Sequence, residues 1–109
     1  MAKTRTDITR SSGNVFEDLD LPEAEETRTK ADLVHAISKA IAARRLKRQQ
    51  DVADLLGIDQ PKVSKLLRGH FSEYSVERLM EFLTRLGMNV EIKVTPKRSR
   101  TPGHIHVVA

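Results

Sequence analysis

The sequence predicts a mainly α-helical fold in which five helices surround a small core and one β-strand follows near the C-terminus. Apolar residues recur at spacings of three and four along most of the 109 residues, which is the period of one helix face. After Gly87 this period changes to two, and Pro96 ends the alternating run. The apolar positions of that run are Val90, Ile92 and Val94. Alternation of this kind predicts a half-buried strand.

Five segments follow one another along the chain. Residues 1–13 are polar and without periodicity, so we expect a flexible arm. The others are an acidic lead-in segment at 14–26, a helical domain at 27–88, the strand at 89–96 and a basic tail at 97–109. A lone strand leaves its backbone groups unpaired and therefore needs a partner. The candidates are a second strand at His104–Val108 in the tail, Asn14–Phe16, and the same strand in a second copy of the protein.

The predicted helices are bounded by residues that suit helix ends. An amphipathic helix is expected from Thr27 to Arg45, and Pro22 before it suits the first turn of a helix. Shorter helices are expected at 49–56, about 60–68 and 75–86. The end residues of these shorter helices are Gly57, which can close the first, and Asp59 and Ser75, which can cap the next two.

Composition excludes several classes of protein. The chain has no cysteine, which excludes disulfides, a zinc finger and a thiol nucleophile, and which fits a reducing compartment. No apolar run approaches the ~20 residues that cross a bilayer, and the first thirty residues lack the apolar stretch of a signal peptide. We therefore expect a cytoplasmic protein that has no membrane partner.

Charge is segregated along the chain. The net charge is only +4, but six of the fifteen acidic residues lie between Glu17 and Glu26, with no basic residue among them. Without those six negative charges, the net charge of +4 becomes +10 for the rest of the chain. Such segregation suggests two surfaces with different partners, although a solvated acidic stretch is an equally good account.

Residues 49–69 have the spacing of a helix-turn-helix, in which two helices cross steeply through a short turn. Ala53 is small where the second helix crosses the first, and Gly57 suits a left-handed turn four residues later. Val63 is apolar and is expected to plug the crossing. The remaining inward positions are Val52, Leu56, Ile58 and Leu66. A scaffold of this kind typically presents its second helix to the major groove of DNA.

The outward residues of that second helix have side chains suited to base edges. Gln60 can pair with adenine through two hydrogen bonds, and Lys65 can reach the acceptors of guanine. Ser64 allows a close approach, and Pro61 can contact a thymine methyl group. We therefore predict base contacts from Gln60, Pro61, Ser64 and Lys65.

A second set of residues suits the phosphate backbone. Gln49 heads the preceding helix, where its side chain and the free N–H groups can hold a phosphate. The other expected phosphate contacts are the basic residues Lys47, Arg48, Lys62 and Arg68. For each single lysine or arginine, a solvated surface charge is an equally good account.

These residues resemble a known family. The stretch from Gln49 to Gly69, which reads QQDVADLLGIDQPKVSKLLRG, resembles the XRE-type helix-turn-helix of phage-repressor relatives. The flanking motifs around 13–26 and 75–94 are similar to small XRE proteins classed as HigA-like antitoxins, so the resemblance covers residues 13–96. Two positions depart from it. Arg48 replaces a usual threonine and removes a local helix cap, and Asp20 stands where relatives often carry glycine.

The resemblance implies a homodimer that binds a palindromic operator in its own promoter and restrains a small basic ribonuclease toxin. The dimer seam would be the strand, through Val90, Ile92 and Val94, which places two recognition helices about one DNA turn apart. The helix at 75–86 is the alternative seam. The acidic segment would complement the toxin. A stand-alone XRE-family transcriptional regulator with no toxin partner predicts the same DNA contacts.

The residues argue against an enzyme. Ser64, His70 and Asp59 include the residue types of a catalytic triad, but Ser64 lies on the outward face of the DNA-contacting helix. His104 and His106 alternate like strand residues and lack a third metal ligand nearby in sequence. No glycine-rich phosphate loop is present. We therefore expect no catalytic activity and no cofactor or metal.

Overall fold

The computed structural model describes the backbone of residues 15–109 and the side chains of residues 23–109. The predicted flexible arm, residues 1–13, lies outside this part of the chain. The helices of the described residues are α1 (Val15–Ala43), α2 (Gln49–Leu56), α3 (Gln60–Leu67) and α4 (Val76–Arg85). The fold is mainly α-helical as predicted, and α2, α3 and α4 match the predicted helices to within one residue at each end.

α1 differs from the prediction at its start. It begins at Val15 rather than Thr27 and includes residues 15–26 of the acidic lead-in segment. The described residues form four helices, not the five predicted. Pro22 lies inside α1 and not in its first turn, although an internal proline removes one backbone hydrogen bond. The residues at 24–26 are strong helix formers and favour continuation. At 29 residues α1 is long, yet no helix among the described residues is also apolar enough to cross a membrane.

One apolar core joins the four helices. α1 packs chiefly against α4, and α2 packs chiefly against α3. The largest fully buried side chains are Phe82, Ile37, Leu56, Leu66, Leu79, Leu86 and Val63. Every helix contributes to this set. Because these side chains are fully buried, truncation of one of these leucines to alanine should lower the free energy of unfolding by about 2–5 kcal/mol. Thr29 is the one buried polar residue among the described side chains, and its hydroxyl has no hydrogen-bond partner.

The end of α1 is closed by a tight turn. α1 ends at Ala43 rather than at Arg45, and the backbone of Arg45 enters the left-handed region with φ of 59°. The N–H of Arg45 donates to the carbonyl of Ala42 at 3.0 Å, and the N–H of Leu46 donates to the carbonyl of Ile41 at 3.3 Å. This pair of bonds is a Schellman motif, which satisfies carbonyls that a helix end leaves unpaired.

The predicted C-terminal strand is absent from the described residues. Residues 89–96 have no strand assignment, and no backbone hydrogen bond joins them to another segment within residues 15–109. The basic tail at 97–109 is likewise without strand structure, so the second strand predicted there is also absent. Both segments instead line one groove of about 840 Å³ beside α1 and α4. A strand needs a partner ladder, and the described part of this chain, residues 15–109, supplies none to residues 89–96.

The three residues predicted to form the dimer seam differ in exposure. Val90 is half-buried against the core of its own chain, which the prediction did not anticipate. Ile92 is 75% exposed and Val94 is 89% exposed. Only the last two therefore present apolar surface to solvent.

The tail contacts the acidic part of α1. Oε2 of Glu25 accepts a hydrogen bond from the N–H of Ile105 at 3.2 Å and lies 3.3 Å from Nδ1 of His104. His104 is thus engaged by one carboxylate, and no group of three metal-ligating side chains occurs among the described residues.

Candidate nucleic-acid interface

The crossing of α2 and α3 has the geometry that the sequence predicts for a helix-turn-helix. Ala53 is 2% exposed, and Val63 is fully buried where the two helices meet. Gly57 ends α2 in the left-handed region with φ of 76°, and its N–H donates to the carbonyl of Ala53 at 2.8 Å. A Cβ at Gly57 would lie 3.3 Å from Nη1 of Arg85. The turn therefore combines a left-handed backbone with a close neighbour, and both features favour glycine.

Both ends of α3 are fixed by local hydrogen bonds. The side chain of Asp59 caps the start of the helix by accepting from the N–H of Lys62 at 3.3 Å, and Pro61 occupies the first turn. At the other end Gly69 has φ of 102°, and the N–H of His70 donates to the carbonyl of Lys65 at 2.9 Å. The predicted cap at Asp59 is confirmed, and α3 is held with its outer face fixed relative to α2.

The residues predicted to contact bases share one face of α3. Gln60, Pro61 and Lys65 are exposed, and Ser64 is partly exposed. Positions 60, 61, 64 and 65 lie on one side of a helix with 3.6 residues per turn, opposite the buried Val63. The structure therefore brings the four side chains together on one solvent-facing surface of a helix, the element that the major groove admits.

The residues predicted to contact phosphates are all exposed, and they lie in two groups. Lys47, Arg48 and Gln49 occupy the entry to α2, whereas Lys62 lies on α3 and Arg68 is its C-cap. In sequence, the first group precedes the base-facing residues, Lys62 lies among them and Arg68 follows them. A helix-turn-helix holds a duplex in this way, with backbone contacts on both sides of the recognition helix.

Arg48 is already engaged within the chain. Its guanidinium forms two hydrogen bonds with the carboxylate of Asp51, from Nη2 to Oδ1 at 2.9 Å and from Nε to Oδ2 at 3.2 Å. These bonds and the nearby negative charge raise the pKa of Arg48 above its ordinary value. Arg48 also occupies the N-cap of α2 without a side-chain cap bond, as its replacement of threonine predicts. The three-residue spacing of Arg48 and Asp51 was the sequence signal for this ion pair.

α4 supports the turn through a charge network that the sequence analysis did not identify. Glu81 accepts hydrogen bonds from Arg78 at 2.9 Å and from Arg85 at 3.4 Å. Arg78 in turn lies 4.8 Å from the ring centroid of Phe82, which is fully buried. The sequence signal for this network is the i,i+3 and i,i+4 spacing of the charged residues in α4. The network holds Arg85 beside Gly57 and so borders the turn before α3.

Comparison with known proteins agrees with this geometry. A family described as "Helix-turn-helix domain" matches residues 15–95, and the chain belongs to this family. A solved structure named "Putative XRE Family Transcriptional Regulator" is similar at 46% sequence identity with a TM-score of 0.74, over 81% of this chain and 99% of that one. No curated protein matches the sequence. The chain is thus an XRE-type helix-turn-helix protein, a class of DNA-binding transcriptional regulators.

Proposed function

We propose that this protein is a sequence-specific transcriptional repressor that binds a palindromic operator as a homodimer. The observation that carries the proposal is the outer face of α3, where Gln60, Ser64 and Lys65 project together from a helix fixed by a buried crossing. These side chains offer an amide, a hydroxyl and an ammonium group, which together can read adenine and guanine edges. Pro61 on the same face adds an apolar contact for thymine.

The phosphate contacts of the proposal come from the two groups beside this face. Lys47, Gln49, Lys62 and Arg68 reach the DNA backbone directly. Arg48 contributes through its ion pair, because a guanidinium held by Asp51 still has N–H groups that face away from the carboxylate. Contacts of this kind supply salt-dependent affinity without reading sequence.

The experiment that tests this function is selection of bound duplexes from a random pool, followed by protection mapping on the promoter of its own gene. We expect an enriched palindrome with half-sites about 10 base pairs apart, since two copies of α3 would enter successive major grooves on one side of the duplex. Recovery of unenriched sequence from the pool would contradict sequence-specific repression.

We further propose that this repressor is the antitoxin of a toxin–antitoxin pair. Glu23 and Glu26 are exposed on the first half of α1 and precede Thr29, the first buried residue among the described side chains. The carboxylates of Glu23 and Glu26 therefore lie outside the core and are accessible to a basic protein partner. A ribonuclease toxin needs a basic surface for RNA, and such a surface would complement these carboxylates.

The toxin proposal is tested by purification of the tagged protein at native level after nuclease treatment. We expect a small basic protein in near-equal amount, whose ribonuclease activity is inhibited by this chain. Reversal of the acidic charges with Glu23→Lys and Glu26→Lys should release it, whereas Glu73→Lys at an exposed site elsewhere should not. Recovery of the chain alone would instead favour a stand-alone XRE-family regulator.

A further inference from the structure

The four helices end at the same kind of left-handed turn, but they do not use the same residue. Gly57, Gly69 and Gly87 follow α2, α3 and α4 with φ of 76°, 102° and 85°. Arg45 follows α1 at the equivalent place with φ of 59°, and it is the one non-glycine residue with positive φ among residues 15–109. An arginine in this conformation is strained relative to glycine.

Within the described residues, the side chain of Arg45 makes no contact that would compensate for this strain. It is exposed, and no carboxylate among the described residues lies within ion-pair distance. Its neighbours differ, because Arg44 donates to the carbonyl of Leu86 at 3.4 Å and Arg48 is paired with Asp51. Arg44 and Arg48 therefore have partners within the fold, whereas the guanidinium of Arg45 is exposed to solvent.

The position of Arg45 relates it to the DNA interface. It lies four residues before Gln49 on the short connection from α1 to α2, which also carries Lys47 and Arg48. The half-buried Leu46 anchors this connection against the core, so the backbone at Arg45 is fixed rather than free to swing. Residues at the entry to the first helix of a helix-turn-helix lie next to the DNA backbone.

We propose that Arg45 is a further phosphate-binding residue of this interface and that its strained backbone is retained for that contact. The inference rests on the proposed DNA-binding function. A guanidinium matches two oxygens of one phosphate, so Arg45 would clamp the duplex backbone beside α2. The contact sets affinity and salt dependence, and it does not read sequence.

The test compares Arg45→Gly and Arg45→Lys with the wild-type full-length chain on a mixed-sequence 20-base-pair duplex. Arg45→Gly should raise the Tm by roughly 4 °C because glycine relieves the left-handed strain. The same variant should bind the duplex roughly tenfold more weakly and lower the slope of log K against log salt by about 0.9 for each bound subunit. Arg45→Lys should keep the wild-type Tm and most of the salt slope.

Arg28→Ala is the matched control. It removes one exposed arginine about 25 Å away along α1 and should change neither the affinity nor the salt slope. A lower Tm in Arg45→Gly, or an unchanged salt slope, would overturn the inference about Arg45. If the wild-type protein still bound the duplex, the proposed DNA-binding function would stand. A wild-type protein that binds neither this duplex nor any selected duplex would overturn the proposed function itself.

Discussion

Two exposed lysines of α3 are expected to differ in what they contact. Lys65 lies on the base-facing side with Gln60, whereas Lys62 lies at the edge of that face. Lys65→Ala should cost about 1–3 kcal/mol on the selected operator and relax preference at one base pair. The measurement is a set of binding isotherms on the operator and on its single-base variants.

Lys62→Ala is the control for the lysine at position 65, because it removes the same charge from the same helix. We expect it to weaken binding to all duplexes by a similar factor and to lower the salt slope by about 1. If Lys65→Ala behaved in the same uniform way, Lys65 would be a phosphate contact and not a base contact.

Thr29 offers a test of packing that is independent of DNA. Its hydroxyl is buried without a hydrogen-bond partner, and the residue as a whole is only 4% exposed. Thr29→Val removes the unsatisfied oxygen with little change of shape, so it should raise the free energy of unfolding by about 1 kcal/mol. Urea unfolding measures this change. Thr29→Ser keeps the hydroxyl and removes a methyl group, so it should destabilise; a stabilised serine variant would contradict the account.

At single residues, side-chain exposure could be predicted from the sequence, whereas ion pairs and backbone conformation could not. The exposure of Gln60 and Lys65 follows from helical period and is predictable. The ion pair of Arg48 with Asp51 depends on the rotamers of two surface side chains, and the left-handed backbone of Arg45 depends on where α1 ends. The i,i+3 spacing of Arg48 and Asp51 permits the ion pair without fixing it. The backbone of Arg45 has no periodic signal in the sequence.

At the scale of elements, the turn between α2 and α3 depends on Gly57. Gly57→Ala places a Cβ in a left-handed backbone and 3.3 Å from Arg85, so it should lower the free energy of unfolding by about 1 kcal/mol or more. Chemical denaturation measures the loss. Gly69→Ala isolates the backbone effect because its Cβ would meet open space, and Gly103→Ala should be nearly neutral. Equal stability of all three variants would contradict a structural role for this turn.

The charge network of α4 predicts a pH dependence. The hydrogen bond from Arg78, followed by that from Arg85, lowers the pKa of Glu81 below its ordinary value of 4.5. Because the folded-state pKa is the lower one, the stabilisation is present above about pH 4.5 and is lost as the pH falls through the folded-state pKa. The stability difference between wild type and Glu81→Gln should therefore shrink below pH 4.5 in urea unfolding. A difference that stayed constant down to pH 3 would exclude this contribution.

Elements with local end signals were predictable, and elements that depend on distant partners were not. α3 and α4 were predicted to within one residue because Asp59 and Ser75 cap them and apolar spacing runs between the caps. The start of α1 was placed too late because Pro22 resembles a first-turn residue. The strand at 89–96 rests on alternation alone, but a ladder requires a second strand, and none occurs among residues 15–109.

At the scale of the whole molecule, the exposed apolar side chains of the C-terminal segments support the proposed dimer. Ile92 and Val94 stand in solvent beside a groove that is also lined by Val76, Met80 and Leu83 of α4. The two candidate dimer interfaces, the segment at 89–96 and α4, therefore border one surface. Burial of this surface against a second copy would remove an exposed apolar patch from water.

Ile92→Asp tests this assembly. A charge at that position should produce monomers in sedimentation equilibrium and weaken operator binding, since one subunit engages only one half-site. Thr101→Asp, which adds the same charge at an exposed turn residue, should leave the dimer intact. A dimer that persists in Ile92→Asp would move the seam to α4 and would be disrupted by Met80→Asp.

The length of α1 has an electrostatic consequence. Its exposed carboxylates at Glu26 and Glu23 are separated from the end of α1 by about 25 and about 30 Å of helix at 1.5 Å per residue. The Debye length is about 8 Å at physiological ionic strength, so the shorter separation amounts to about three screening lengths. The acidic end therefore contributes little repulsion to phosphates at the other end. The two proposed partners, DNA and a basic toxin, would therefore bind with little electrostatic influence on each other.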